Sequence, residues 1–428
     1  MKPLRIAIAG LGTVGGGVVK TLQSRGGELS ARAGRAIEIV CVSARNKNKK
    51  RHAHIDGIPW TDDPVSLAQA ECDVVVELIG GADGSALALT EASLAAGKHV
   101  VTANKAMLAE HGAELAMLAE KNNAALKCEA AVAGGIPIVK ALRESFIAHG
   151  VHAVRGILNG TCNYILTQME ATGRSFEDVL AEAQRLGFAE ADPELDVGGG
   201  DTAHKLALLS SLAFETKPNL AHITVEGIAY ITPEDIGFAR EFGCRIKLLG
   251  VARLTPHGLD QRVGPAMVKL GTPLADVEGA FNAVVADVGA AGPFFFEGRG
   301  AGEAPTTSAV IADLVDIARG RFGPAFGVAA TSLRDLARAP EESRRSIFYL
   351  RFEVLDEPGV LAEIARKLAD HGVSIESMIQ RGRAPGEPVA IVMMTHDTPA
   401  PAVARALKAV AASDKVLGRP CMIPVEAG

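Results

Sequence analysis

Along residues 4 to 130, short apolar runs alternate with longer segments of helical spacing. The β-like runs are Leu4–Ala9, Ile37–Ser43, Asp73–Ile79, His99–Thr102 and Ala125–Glu129. The segments between them predict helices at Val14–Ser24, Ser85–Ala96 and Ala106–Lys121. Strands that alternate with helices of this length predict an α/β domain with a doubly wound parallel sheet. From residue 131 to 305 the rhythm changes. Helical segments such as Phe176–Arg185 and Thr202–Ala213 mix with strand-like runs such as Ile246–Arg253 and Phe281–Val288, which reads as an α+β domain. A helix at Thr306–Ala318 returns the chain to the first domain or to a subunit interface, so residues 306–335 are grouped with 1–130. The polar segment Arg338–Ser346, with Pro340, reads as a linker. Beyond it, residues 347–428 show strand Ile347–Leu355, helix Val360–His371, strands Val373–Gln380 and Pro388–Thr395, helix Ala402–Ala412 and strand Val416–Val425. The order βαββαβ is the split, ferredoxin-like plan.

Composition narrows the class. A chain of 428 residues with 48% hydrophobic, 22% charged and 4% aromatic residues suits a soluble α/β protein of two or three domains. A net charge of −6 gives no electrostatic reason to expect nucleic acid or an anionic membrane as partner. No uncharged apolar run approaches the roughly 20 residues of a spanning helix. Six scattered cysteines without a CxxC pair predict reduced thiols and a cytoplasmic location. Lys2 and Arg5 before an apolar run raise the alternative of an export signal. Gly10, Gly12, Gly15, Gly16, Gly17 and Gly26 interrupt that run, and no A-x-A-like cleavage site follows, so the segment reads as retained.

The same glycines carry the first chemistry. Gly10, Gly12 and Gly15 form G-x-G-x-x-G between a strand and a helix. They give a tight turn, close approach of backbone to a pyrophosphate, and close helix–strand packing. With this context the sheet is of Rossmann type. Ala9, Gly10, Leu11, Gly12, Thr13, Val14, Gly15 and Gly16 are the expected cofactor contacts, with phosphates at the helix N-terminus. NAD-specific domains place an acid at the end of the second strand; here Val42-Ser43-Ala44-Arg45 is followed by Lys47, Lys49 and Lys50. Missing acid and clustered cations favour the 2′-phosphate of NADP over NAD, against the alternative of a solvated basic loop. Lys105, in Thr102-Ala103-Asn104-Lys105, stands at the C-terminal end of a strand, where such sheets bind ligands. The densest stretch runs from Gly187 to Lys205 and holds Glu190, Asp192, Glu194, Asp196 and Asp201. Asp201 could simply cap a helix, yet Asp201 and Lys205 lie four apart on one face. A lysine beside carboxylates suits proton donation, and several acids suit an ammonium-bearing substrate. His52 and His54 receive no role, and Cys128 and Cys162 read as small packing residues.

Five motifs in consistent order (GLGTVG, TANK, EAAVAGGIPI, GILNGTCNYIL and AEADPELDVGGGDTAHK) resemble those of homoserine dehydrogenases over roughly residues 4 to 335. The last unit, with Leu355-Asp-Glu-Pro-Gly-Val-Leu361, resembles an ACT domain. The resemblance implies reversible reduction of L-aspartate 4-semialdehyde to L-homoserine with NAD(P)H, in threonine, methionine and isoleucine biosynthesis. It makes Lys205 the proton donor and Lys105 a contact to substrate and nicotinamide. Glu190, Asp196 and Asp201 become substrate-binding acids, and Gly160 and Thr161 hold the substrate carboxylate. It also implies a monovalent cation, Na or K, near Glu129, Val132, Gly134 and Ile136, with a structural turn as the alternative. An amino-acid effector, threonine, is expected at Asp356, Pro358, Gly359 and Val360, and the chain is expected to form a homodimer or homotetramer. Cys162 departs from the family's usual second threonine. The competing class is a non-catalytic sensor of nucleotide and amino acid, which would not need both lysines; a dehydrogenase of another amino-acid aldehyde is a third reading.

Overall fold

The computed structural model describes residues 2–47, 49, 51, 53–381 and 388–426. Lys50 and His52 lie outside the described residues. Strands β1 (Leu4–Ala9), β2 (Ile37–Ser43), β3 (Trp60–Thr61), β4 (Val74–Glu77), β5 (His99–Thr102) and β6 (Leu126–Lys127) form one parallel sheet in the order β3-β2-β1-β4-β5-β6. The central strands are apolar along their length because both faces are covered: Leu4, Ile6, Ile8, Val74, Val76 and Val101 are fully buried. Helices α1 (Thr13–Ala33), α2 (Ser85–Ala95) and α3 (Lys105–Lys121) make the crossovers.

Helix α1 outruns its expected end at Ser24. It continues to Ala33 across a kink at Arg25 (φ −123°, ψ 17°). Gly26 and Gly27 each cost about 1 kcal/mol of helix propensity. Burial of Leu29 and Ala33, with the Ser30 hydroxyl donating to the Gly26 carbonyl, offsets that cost. The expected strand Ala125–Glu129 shrinks to β6, and Glu129–Ala131 forms a 3-10 turn instead.

The middle of the chain carries α4 (Ile138–Glu144), β7 (Ala153–Ile157), α5 (Gly160–Thr172), α6 (Phe176–Leu186), α7 (Glu194–Val197), α8 (Gly200–Phe214), β8 (Thr224–Val225), α9 (Pro233–Glu241), β9 (Cys244–Thr255), β10 (Gly258–Lys269), β11 (Phe281–Asp287) and β12 (Pro293–Arg299). Its strands pair β12-β11-β7-β9-β10, with α8 buried against the sheet. Helix α10 (Glu303–Ala318) then returns to the first domain: the Thr307 hydroxyl donates to the Val14 carbonyl, and Arg319 to that of Arg32.

The segment read as a linker is pinned. Arg344 pairs with Asp260 at 2.5 Å, the Leu259 N–H donates to the Ala337 carbonyl, and the Ala339 N–H donates to the Leu259 carbonyl. Strand β13 (Arg345–Ser346) leads into β14 (Phe348–Leu355), α11 (Val360–Asp370), β15 (Ile375–Gln380), β16 (Pro388–Thr395), β17 (Thr398–Pro399), α12 (Ala400–Ala411) and β18 (Val416–Glu426). The order β18-β14-β16-β15 is that of a βαββαβ unit with its two helices on one face. This sheet does not stand apart. The end of β18 pairs in parallel with β10, Met267 opposite Val425 and Val268 opposite Glu426, so the middle and last sheets are one. Among the described residues no helix is long and apolar enough to cross a membrane.

Candidate active site

The turn from β1 to α1 is built by close approach. A Cβ on Gly10 would overlap the Leu78 carbonyl, and one on Gly15 would overlap the Gly10 carbonyl oxygen. Space within 4 Å of a Cβ at Gly12 is open. Gly12 caps α1 with no side-chain hydrogen bond, so the first-turn N–H groups at Thr13 and Val14 remain available to an anion. The cavity in front of this turn has a volume of about 420 Å³. Gly10, Leu11 and Gly12 form one wall and Arg45, Lys49 and Arg51 another. Arg51 donates to the carbonyls of Leu11, Asn46, Lys47 and Lys49, and its guanidinium lies 5.6 Å from the Trp60 ring centre. Arg51 was not among the residues expected from sequence, although it stands in the same basic run.

At the C-terminal ends of β4 and β5, Glu77 is fully buried and accepts from the Thr102 hydroxyl (2.6 Å) and the Ile79 N–H (2.7 Å). Asn104 caps α3 by accepting from the Met107 N–H and donates to the Gly81 carbonyl at 2.7 Å. Lys105 is therefore the first residue of α3, one earlier than expected, and its stem leaves a braced turn. It reaches across the cleft to α8: Lys105 Nζ lies 3.2 Å from Asp201 Oδ1. On the other oxygen, Lys205 Nζ donates at 2.7 Å, and it also donates to the Leu158 carbonyl at 2.7 Å. Asp201 thus ties two lysines from two domains.

Asn159 holds the acids. As the N-cap of α5 it accepts from the Cys162 N–H at 2.8 Å, while its Nδ2 donates to Asp196 at 2.8 Å and to Asp201 at 2.9 Å. Burial alone would raise the Asp201 carboxyl. Lys205, Lys105 and the hydrogen bonds from Lys205 and Asn159 outweigh it and hold Asp201 well below the usual carboxylate range. Asp196 moves the other way, raised by burial against the Asn159 hydrogen bond and by the charge of Asp201. Asn282 adds a second hydrogen bond to the Leu158 carbonyl, at 2.9 Å, so the acceptor of Lys205 is itself fixed. Neither Asn159 nor Asn282 was singled out from sequence. Asn159 had a signal, an Asx residue immediately before a helix; Asn282 had none, because its contact spans 124 residues.

The other expected residues fall at graded distances. Gly160 starts α5 where a Cβ would meet the Ala280 carbonyl oxygen at 2.8 Å, and the Thr161 hydroxyl donates to the Phe188 carbonyl at 2.8 Å. Glu190 is exposed at the rim and reaches Asp196 only through its like charge, not the lysines directly. Cys162 is fully buried with its thiol 3.3 Å from the Asp196 carbonyl, and burial raises its pKa. Its departure from threonine lies behind the acids rather than in the cleft. Glu129, Val132, Gly134 and Ile136 share the loop between β6 and α4. The Glu129 carboxylate accepts from the Val139 and Lys140 N–H groups, and burial, then the neighbouring Asp313, pushes it up to about 7.

Family models match in three consecutive segments: "Homoserine dehydrogenase, NAD binding domain" over residues 10–129, "Homoserine dehydrogenase" over 137–315, and "ACT domain" over 348–412. The homoserine dehydrogenase of Neisseria gonorrhoeae is 42% identical over 433 residues, covering 100% of this chain and 99% of its own. That of Pseudomonas aeruginosa is 42% identical over 434 residues, with the same coverage. Among solved structures, a homoserine dehydrogenase from Thiobacillus denitrificans superposes with a TM-score of 0.93 at 42% identity, covering 100% of this chain and 99% of that one. One from Staphylococcus aureus superposes at 0.77 with 32% identity and the same coverage. With matches of this extent resting on the geometry above, the chain belongs to the homoserine dehydrogenase family.

Proposed function

We propose that the protein is an oxidoreductase that reversibly reduces L-aspartate 4-semialdehyde to L-homoserine. The observation that carries this is the Lys105–Asp201–Lys205 bridge across the cleft between the nucleotide-binding sheet and α8. The glycine turn, the uncapped first turn of α1 and the 420 Å³ cavity fit a dinucleotide. Its nicotinamide, when bound, supplies the hydride in reduction and takes it in oxidation. Arg45, Lys49 and Arg51 would hold a 2′-phosphate, which favours NADP over NAD. The Lys205 ammonium, fixed by Asp201 and the Leu158 carbonyl, faces the oxygen on which charge develops and gives it a proton. Lys105 orients the substrate beside the nicotinamide. Glu190, Asp196 and Asp201 receive its ammonium, and Gly160 and Thr161 its carboxylate at the start of α5.

Residues 1–130 with 306–335 would bind the nucleotide, 131–305 the substrate, and 347–428 an effector. Backbone at Glu129, Val132, Gly134 and Ile136, in the loop between β6 and α4, would hold Na or K. Threonine at Asp356, Pro358, Gly359 and Val360 is the effector reading. The edge strand β12, with half-exposed Phe294 and Phe295 (38% and 39%), suits pairing with a second copy of the chain, as a homodimer or a pair of them. The free thiols suit the cytoplasm. The sensor reading has less support, because a binding module needs no pair of lysines on one carboxylate. Purified protein given NADPH and L-aspartate 4-semialdehyde should consume reduced nicotinamide; absence of turnover with either nicotinamide nucleotide across pH 6 to 9 would remove the proposal.

A further inference from the structure

The chain's single tryptophan, Trp60, stands on β3, the outermost strand of the nucleotide-binding sheet. This strand pairs in parallel with the end of β2, Val42 opposite Trp60 and Ser43 opposite Thr61, and the Val42 N–H donates to the Pro59 carbonyl at 2.9 Å. The half-buried indole is thereby set beside the start of the basic loop. Its Nε1 donates to Asp62 Oδ1 at 2.7 Å, which fixes the edge of the ring, and Asp62 lines the cofactor cavity. Two cations of the loop lie over the ring: the Arg51 guanidinium at 5.6 Å from its centre and Lys47 Nζ at 6.0 Å. Both are within the distance of about 6 Å at which the ring quadrupole attracts a cation, and tryptophan does so best among the aromatic side chains.

A second cavity, also of about 420 Å³, adjoins the loop, with Trp60, Lys47, Ile55, Asp56 and Ile58 in its wall. Lys49 and Arg51 line both this cavity and the cofactor cavity. The loop is thus a partition between two open spaces, and its cations have room on either side. Three of the four carbonyls that Arg51 bonds, those of Asn46, Lys47 and Lys49, belong to the loop itself and move with it. The anchors that belong to the sheet side are the Leu11 carbonyl and the face of Trp60.

We propose that Trp60 is a positioning residue for cofactor choice. Its indole face holds Arg51, and through Lys47 the stretch of loop that carries Lys49, against the cofactor cavity where a 2′-phosphate is received. This rests on the reading of the basic wall as the 2′-phosphate site. An aliphatic side chain at this position would still pack against the neighbouring core but would offer the cations no π face. Loss of packing alone would weaken every nucleotide alike; loss of positioning weakens those that carry the 2′-phosphate.

Adenosine 2′,5′-bisphosphate and adenosine 5′-phosphate differ only in that phosphate, and their binding needs no substrate and no turnover. Calorimetric titration of the full-length protein with each gives the ratio of their affinities. In the parent the bisphosphate should bind about tenfold or more tightly than the monophosphate. Trp60→Leu should cut that ratio by about fivefold or more, through the bisphosphate, whereas Trp60→Phe, which keeps a ring, should cut it by less than about twofold. In the parent protein, where no variant's folding enters, the emission of Trp60 should change on saturation with the bisphosphate and change less with the monophosphate. An unchanged ratio in Trp60→Leu, equal losses in the two variants, or emission that does not respond to the bisphosphate overturns the proposal, while the parent's ratio keeps the 2′-phosphate reading standing. A parent ratio near one removes that reading and the proposal with it.

Discussion

Asp201 meets Lys105, Lys205 and Asn159 at once, and no one of these contacts has meaning alone. The sequence showed the spacing of Asp201 and Lys205 and placed Lys105 at a strand end. It did not show that Lys105 crosses from another domain onto the same carboxylate, because nothing local encodes a contact 96 positions away in the chain. Lys205→Ala should lower kcat by about 10²–10⁴-fold while the Kd for NADPH stays within twofold, measured by steady-state assay and fluorescence titration. Equal loss of both would make Lys205 a structural residue. A second buried lysine behaves differently. Lys247 donates to Asn163 Oδ1 (3.1 Å) and the Val277 carbonyl (2.5 Å), and burial lowers its pKa to about 8 from 10.5. Between those values the unfolded chain binds the extra proton and the native one does not, so this group's contribution to stability increases with pH across about 8 to 10.5. In urea unfolding, Lys247→Met should flatten that increase relative to the parent protein.

At the scale of elements, the helices and strands of the first 130 residues were legible because a buried parallel sheet writes itself as uninterrupted apolar runs. Two failures are instructive. Helix α1 continues through Gly26-Gly27, where tertiary burial of Leu29 and Ala33 outweighs local propensity. Strands β10 and β12 were missed for different reasons. Strand β10 buries residues on both faces while carrying Asp260, Gln261 and Arg262, whose partners lie far off in the chain. Strand β12 is an edge with exposed aromatics, so it shows no clean alternation. The basic loop after β2 was read as cationic, but the bonds from Arg51 to the carbonyls of Leu11, Asn46, Lys47 and Lys49 were not foreseen. Arg51→Ala should raise KM for NADPH about tenfold and that for NADH less than threefold, since it loosens the 2′-phosphate wall but spares the glycine turn. Equal effects on both cofactors would assign Arg51 to loop structure alone.

In the whole molecule, the last unit was expected to be separable, and its internal βαββαβ order was readable from periodicity. Its attachment was not. Parallel pairing of β18 with β10 involves two residue pairs, and the buried Glu426 lies among Arg155, Arg253 and Arg262 of the middle domain. Arg351 and Tyr349 of β14 meet the buried Asp235 of α9 at 2.7 and 3.0 Å. Cutting the chain near residue 340 would therefore not give a clean unregulated enzyme but a middle domain with several stranded charges. Glu426→Ala alone should cost about 3–5 kcal/mol in urea unfolding, because it leaves buried guanidinium groups without their counter-charge. A cost below about 1 kcal/mol would show that water reaches them.

The position of Glu426 on β18, more than 150 residues after the β10 it pairs with, also has a consequence for biosynthesis. In the sheet that opens at Ala153, β10 gains its partner at Met267 and Val268 only when β18 leaves the ribosome. The nucleotide-binding sheet has no such wait, since its strands end at Lys127 and its covering helix α10 at Ala318. A nascent chain stalled before β18 would then display a folded cofactor domain beside a middle sheet whose β10 is held by β8 at Arg262 and Val263 but unpaired at Met267 and Val268, the state most exposed to chaperones and to pairing with another chain.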